Sequence, residues 1–142
     1  MNDFQNEAKL FEDTRKNISL KDARSKSVYH AENKNEKKVL ALRVDGVLIK
    51  DGNKCDYALI VQENTAYLIE LKGKDREWAS RQLETSLDYF CKCTNLDSYH
   101  GRISLSRVQK DLHGTQFKKA EKAFRKRNGT LKYQETPFND TI

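Results

Sequence analysis

Residues 55–72 read CDYALIV-QEN-TAYLIELK, two runs of largely apolar residues joined by three that carry none. Runs of this length, rich in Ile, Val, Leu and Tyr, favour strands. The three-residue connection ends in Asn64, a residue that tolerates the left-handed backbone such loops need, so the second run folds back on the first. The register follows by counting. Val61 faces Thr65, Ile60 faces Ala66, and Asp56 falls opposite Glu70, with Cβ atoms about 4.5–5.5 Å apart. Side chains alternate along a strand, so Lys72 shares the face of Glu70 with Ile60, Ala66 and Leu68. Two carboxylates and one ammonium therefore converge at the edge of an otherwise apolar surface.

Upstream, 38–49 holds another apolar run (VLALRVDGVLI), so 38–73 reads as a three-stranded meander. Tyr57, Leu59 and Val61 occupy one face of the middle strand and Ala58 and Ile60 the other. A sheet apolar on both faces needs cover on both, and helices are the expected cover. Residues 75–94 supply one, with Asp75 as N-cap and Trp78, Ala79, Leu83, Leu87, Phe90 and Cys91 at helical spacing. A strand over 102–108 (RISLSRV), a basic helix over 114–127 and a strand over 130–138 complete the downstream half. At the start, Phe4, Ala8 and Phe11 predict a short amphipathic helix over 3–16, capped by Asn2 or Asp3. The polar stretch 17–37 holds a second short helix at about 20–27. The order α, three β, α, β, α, β predicts an α/β domain with a central mixed sheet.

With one proline and six glycines in 142 residues, 1–142 reads as a single domain, its motif region at 38–95. Charged residues make up 34 % of the chain, above the usual quarter or so, and the net charge of +6 suits a polyanionic partner. No run reaches the roughly 18 apolar residues of a membrane span, and the polar, acidic start lacks the pattern of a signal peptide, so a cytoplasmic protein is expected. Cys55, Cys91 and Cys93 are odd in number, with the last two too close to bridge easily, which predicts reduced thiols. Cys91 and Cys93 with His100 and His113 lack the paired spacing of a zinc site, and His30 reads as a surface residue. Lys118, Lys119, Lys122, Arg125, Lys126 and Arg127 form a basic helix face that either lines a phosphate backbone or simply meets solvent. No P-loop, dinucleotide fingerprint or Ser/His/Asp order is present.

The chemistry therefore rests on Asp56, Glu70 and Lys72. A carboxylate pair among apolar residues costs free energy unless positive charge compensates, and Lys72 neutralises only one of the two. Mg²⁺ takes oxygen ligands from one or two carboxylates plus water and phosphate, which suits Asp56, Glu70 and the Leu71 carbonyl. A cation there polarises a phosphoryl group, and a nearby lysine orients or deprotonates the attacking water.

Asp56, thirteen intervening residues, then Glu70-Leu71-Lys72, followed at once by a helix, resembles the PD-(D/E)xK nuclease superfamily. The resemblance implies a restriction-endonuclease-like fold and Mg²⁺- or Mn²⁺-dependent cleavage of nucleic acid, DNA ahead of RNA, with Asp56 and Glu70 as ligands and Lys72 assisting water attack. Cys55 stands where the motif has proline. Gln82 looks like the glutamine that RecB-like members place near the metal, which implies contact with substrate. Many members also carry a glutamate on the first helix, for which Glu7 and Glu12 are the candidates. Asp45 joins the Asp56 face if Asp51-Gly52 forms a two-residue turn, and a one-residue bulge would send it to the other face. A homodimer would bring two sites to two strands. The alternative is a protein that keeps this fold and binds nucleic acid without cutting it.

Overall fold

The hairpin at 55–72 forms the centre of a six-stranded sheet in the computed structural model, which describes residues 4–22, 26–52, 54–72, 75–108 and 114–142. Strand β4 (Val39–Arg43) pairs antiparallel with β5 (Tyr57–Val61), and β5 pairs antiparallel with β6 (Thr65–Lys72). The expected register holds, with Val61 opposite Thr65 and Ile60 opposite Ala66. The loop turns with Gln62 and Glu63 at positive φ, while the backbone N–H of Asn64 bonds back to the Val61 carbonyl at 3.1 Å. Every residue of β5 is buried, as its unbroken apolar run requires.

Beyond the meander the pairing changes from antiparallel to parallel. Helix α1 (Arg76–Cys93) starts where Asp75 Oδ1 accepts the backbone N–H of Trp78 at 2.9 Å, and buries Ala79, Leu83, Leu87 and Phe90. It carries the chain back to β7 (Ser98–Leu105), which runs parallel to β6 along its full length. Helix α2 (Thr115–Arg125) then crosses to β8 (Leu131–Glu135), parallel to β7. Glycine at position 114 gives α2 no side-chain cap; instead Glu77 Oε2 on α1 accepts the Phe117 N–H at 2.8 Å. Gly129, at the return from α2, is fixed by space: a Cβ there would lie 1.7 Å from the Tyr99 carbonyl oxygen.

The other face of the sheet corrects the expectation of helical cover. It is closed by a second, three-stranded sheet of β2 (Asn17–Lys21), β3 (Val28–Glu32) and β9 (Phe138–Thr141), with β3 antiparallel to β2 and parallel to β9. Ile18, Leu20, Tyr29, Ala31 and Phe138 pack there against Tyr57, Leu59, Ile69 and Leu71. Buried Arg102 ties the layers together, donating from Nε to Asp140 Oδ2 at 2.8 Å while Tyr29 donates its hydroxyl to the same oxygen. Among the described residues the architecture is thus α/β in three layers: two helices, a mixed six-stranded sheet in the order β1-β4-β5-β6-β7-β8, and a three-stranded sheet.

Strand β1 (Lys9–Asp13) replaces the expected first helix, after a single 3-10 turn at Asn6–Ala8. It pairs antiparallel with β4 through an irregularity between Lys9 and Phe11. Phe4 and Ala8 join the helix-side core while Phe11 packs on the opposite one, so their helical spacing serves two faces of a sheet. The proposed caps Asn2 and Asp3 lie outside the described residues. The second short helix also gives way: Asn17–Lys21 is β2, with Ile18 and Leu20 turned inward. The last expected strand divides into β8 and β9, and the strand expected at 102–108 starts at Ser98. Among the described residues no helix is long and apolar enough to cross a membrane.

Candidate functional site

Strand alternation places Asp56, at the entry to β5, and Glu70 and Lys72, at the exit of β6, on the helix-side face. Both carboxylates are buried, Asp56 8 % and Glu70 2 % exposed. Lys72 Nζ lies 3.7 Å from Glu70 Oε2, and its side chain keeps 28 % of its surface in solvent. The regular pairing stops at Tyr57–Ile69. One step further, the Asp56 N–H reaches the Ile69 carbonyl at 3.0 Å and Asp56 Oδ2 accepts the Leu71 N–H at 2.8 Å. In an extended strand the N–H and C=O of one residue point to the same side, so the Leu71 carbonyl lies on the β5 side of its strand as well. The structure thus brings together Asp56, Glu70, Leu71 and Lys72.

The electrostatics follow from burial. Desolvation raises the Glu70 pKa well above 4.5, the Asp56 charge raises it further, and Lys72 opposes them. Asp56 is also raised, chiefly by desolvation, with the Leu71 N–H acting against it and the charges of Asp22 and Asp45 adding to it. Glu70 Oε1 is buried with no hydrogen-bond partner among the described residues. A buried carboxylate oxygen left unpaired costs about 1–3 kcal/mol or more, a cost that a bound water or ion would relieve. A hard cation is the group these oxygens fit.

Helix α1 covers this corner through one stripe of side chains. Ser86 Oγ accepts the Cys55 N–H at 2.7 Å, and Gln82 Nε2 donates to the Lys54 carbonyl at 3.1 Å. Gln82 Oε1, like Glu70 Oε1, is buried and unpartnered among the described residues. Cys55 between them is fully buried, and burial pushes its thiol pKa strongly up, so it packs as a neutral group.

The remaining candidates separate. The two-residue turn at Asp51-Gly52 that would put Asp45 opposite Ala58 does not form: Ala58 pairs with Leu42, and residues 44–52 make a longer loop with an isolated bridge between Asp45 and Ile49. Asp45 still lies near enough to raise both carboxylates, and Lys54 Nζ stands 3.7 Å from its Oδ1. Glu12 is held elsewhere: it pairs with Leu40, whose other partner is Ile60 at the far end of β5, and Lys38 Nζ lies 3.7 Å from its carboxylate. Glu7 sits exposed on the 3-10 turn. Asp22 was not foreseen. The Tyr57 hydroxyl donates to the Lys21 carbonyl at 2.6 Å, which holds the end of β2 beside the site.

His100 stacks on Tyr67, with ring centroids 4.8 Å apart, and burial lowers its pKa to about 4. Cys55, Cys91 and Cys93 are unpaired, and His113 lies outside the described residues. No group of three or more His, Cys, Asp or Glu among the described residues is arranged to hold a metal, so a cation here would rest on two carboxylates, a carbonyl and water. The basic side chains of α2 and the turn after it are all exposed, with Ala120 and Phe124 buried beneath. No protein-family model, curated protein or solved structure matches the chain.

Proposed function

We propose that the protein is a Mg²⁺- or Mn²⁺-dependent nuclease of restriction-endonuclease-like fold, acting on DNA ahead of RNA. One observation carries this reading: two buried carboxylates meet at adjacent strand ends, one with an unpartnered oxygen, and a lysine stands beside them. The topology supports it, since a meander is followed by a helix and by a strand parallel to the third. The chain departs from the resemblance at its start, where a turn and β1 replace the first helix.

Asp56, Glu70 and the Leu71 carbonyl would hold the cation. When bound, it supplies positive charge against the scissile phosphoryl group and makes water more acidic. The Leu71 N–H fixes the Asp56 carboxylate by occupying Oδ2. Lys72, tethered to Glu70 yet open to solvent, orients the attacking water and offsets charge developing on phosphate oxygens. Gln82 offers an amide oxygen to water or substrate, and the basic face of α2 attracts phosphate backbone.

Labelled single-stranded, duplex and branched DNA and RNA, incubated with Mg²⁺, Mn²⁺ or EDTA, test the proposal. Cleavage is expected with cation only, reduced by roughly 10²-fold or more in Glu70→Ala and Lys72→Ala. Folded protein that leaves every substrate intact with both metals overturns it.

A further inference from the structure

The stripe formed by Ser86 and Gln82 on α1 continues one turn outward to Trp78, because residues four apart lie above one another on a helix. Ser86 touches residue 55 and Gln82 touches residue 54, so the stripe leads away from the buried carboxylates toward solvent. Trp78 ends it with 40 % of its surface exposed. Its backbone is fixed by the Asp75 cap, and the Arg81 guanidinium stands 5.8 Å from its ring centroid. Arg81 makes no ion pair with a described residue, which leaves its charge for an incoming anion.

We infer that Trp78 and Arg81 form a stacking platform for an unpaired nucleobase, with Arg81 meeting the adjoining phosphate. This rests on the nuclease reading and narrows its substrate to single-stranded or frayed nucleic acid. An indole face accepts any base by stacking, but only one free of its own stack, whereas a basic face alone attracts paired and unpaired strands alike. The helix-capped backbone is set before substrate arrives, so binding has only the two side chains to order.

Trp78 is the chain's one tryptophan, so its emission reports on this ring directly. The full chain in EDTA, where no strand is cut, is titrated with oligothymidylate, oligouridylate, a blunt duplex and inorganic tripolyphosphate. Both single strands are expected to quench the emission, and the duplex and tripolyphosphate to leave it unchanged. By anisotropy of a labelled single strand, Trp78→Ala should weaken binding roughly five- to a hundredfold, with Trp78→Tyr restoring most of it. Circular dichroism of both variants, altered at an exposed position, checks that they fold. Equal quenching by the blunt duplex, no quenching by single strands, or Trp78→Ala binding within about twofold of the parent protein overturns the platform. The two readings fail separately. A protein that cleaves with metal but is not quenched loses the platform alone, and one that is quenched but cleaves nothing loses the nuclease alone.

Discussion

Replacing Glu70 with glutamine removes one charge from the buried pair at nearly constant shape. In the parent protein without cation, Glu70 is 2 % exposed, faces Asp56, and leaves Oε1 unpartnered among the described residues, so its ionised form is costly. A buried charge costs about 1–3 kcal/mol or more beyond a neutral group of the same shape, so Glu70→Gln should gain about that much stability in EDTA at pH values where the parent Glu70 is ionised. For a domain of 142 residues the unfolding entropy is about 0.3 kcal/mol per kelvin, which makes the gain about 3–10 °C in Tm. The pH dependence has a definite sign. Glu70 is raised above 4.5 in the folded protein, so the fold holds its proton more tightly than the unfolded chain does. Below pH 4.5 the glutamic acid is neutral in both states and the advantage of glutamine vanishes. It grows as pH rises through the folded pKa, while Asp56, Asp45 and Asp22 carry like charges nearby and Lys72 the opposite one. On the proposed cation site, adding Mn²⁺ should offset or reverse the order, because a cation at a hundred times its Kd would stabilise the parent fold by about 2.7 kcal/mol and the neutral variant by much less. Calorimetric scans of both proteins across pH 4–8, with Mn²⁺ or EDTA, measure all three effects. A difference that stays constant with pH, or an equal Mn²⁺ shift in both proteins, would refute the argument.

Gly129→Ala forces a methyl into the Tyr99 carbonyl and should cost about 3 kcal/mol or more, read as a fall in the urea midpoint. A fall of less than about 1 kcal/mol would show that the α2–β8 turn yields. Arg102→Ala strands Asp140 between the two sheets and should cost about 3–5 kcal/mol, with hydrogen exchange rising first in β9. Uniform exchange at unchanged stability would remove the ion pair from its role as a tie. Glu77→Ala deprives α2 of its cap and should cost about 1 kcal/mol, with the Phe117 amide losing protection. Unaltered protection of that amide would show that another group accepts it.

Loop length and alternation were enough to place Asp56, Glu70 and Lys72 on one face, and Asp75 with its helical periodicity was enough to start α1. Those signals are local, written within a few residues of the elements they specify. The second sheet escaped because its pattern is faint and its pairing remote. Asn17-Ile18-Ser19-Leu20-Lys21 does alternate, but with only two apolar residues among polar ones, and β3 takes its outer partner from the far end of the chain. Phe4, Ala8 and Phe11 misled because a kink between Lys9 and Phe11 mimics helical spacing. Asp22 was invisible for the same reason as the sheet that carries it: a hydrogen bond from Tyr57 brings it to the site, and no sequence interval records that.

The pairing of β3 with β9 also bears on biosynthesis. Tyr29 leaves the ribosome early, yet its neighbour Phe138 emerges only after the meander, both helices and β8. Until then the rear of the central sheet, with Leu59, Ile69 and Leu71, lacks part of its cover. The rear face of the central sheet therefore cannot be fully covered until the final strand is free of the exit tunnel, which leaves part of its apolar surface open to chaperones until late in translation.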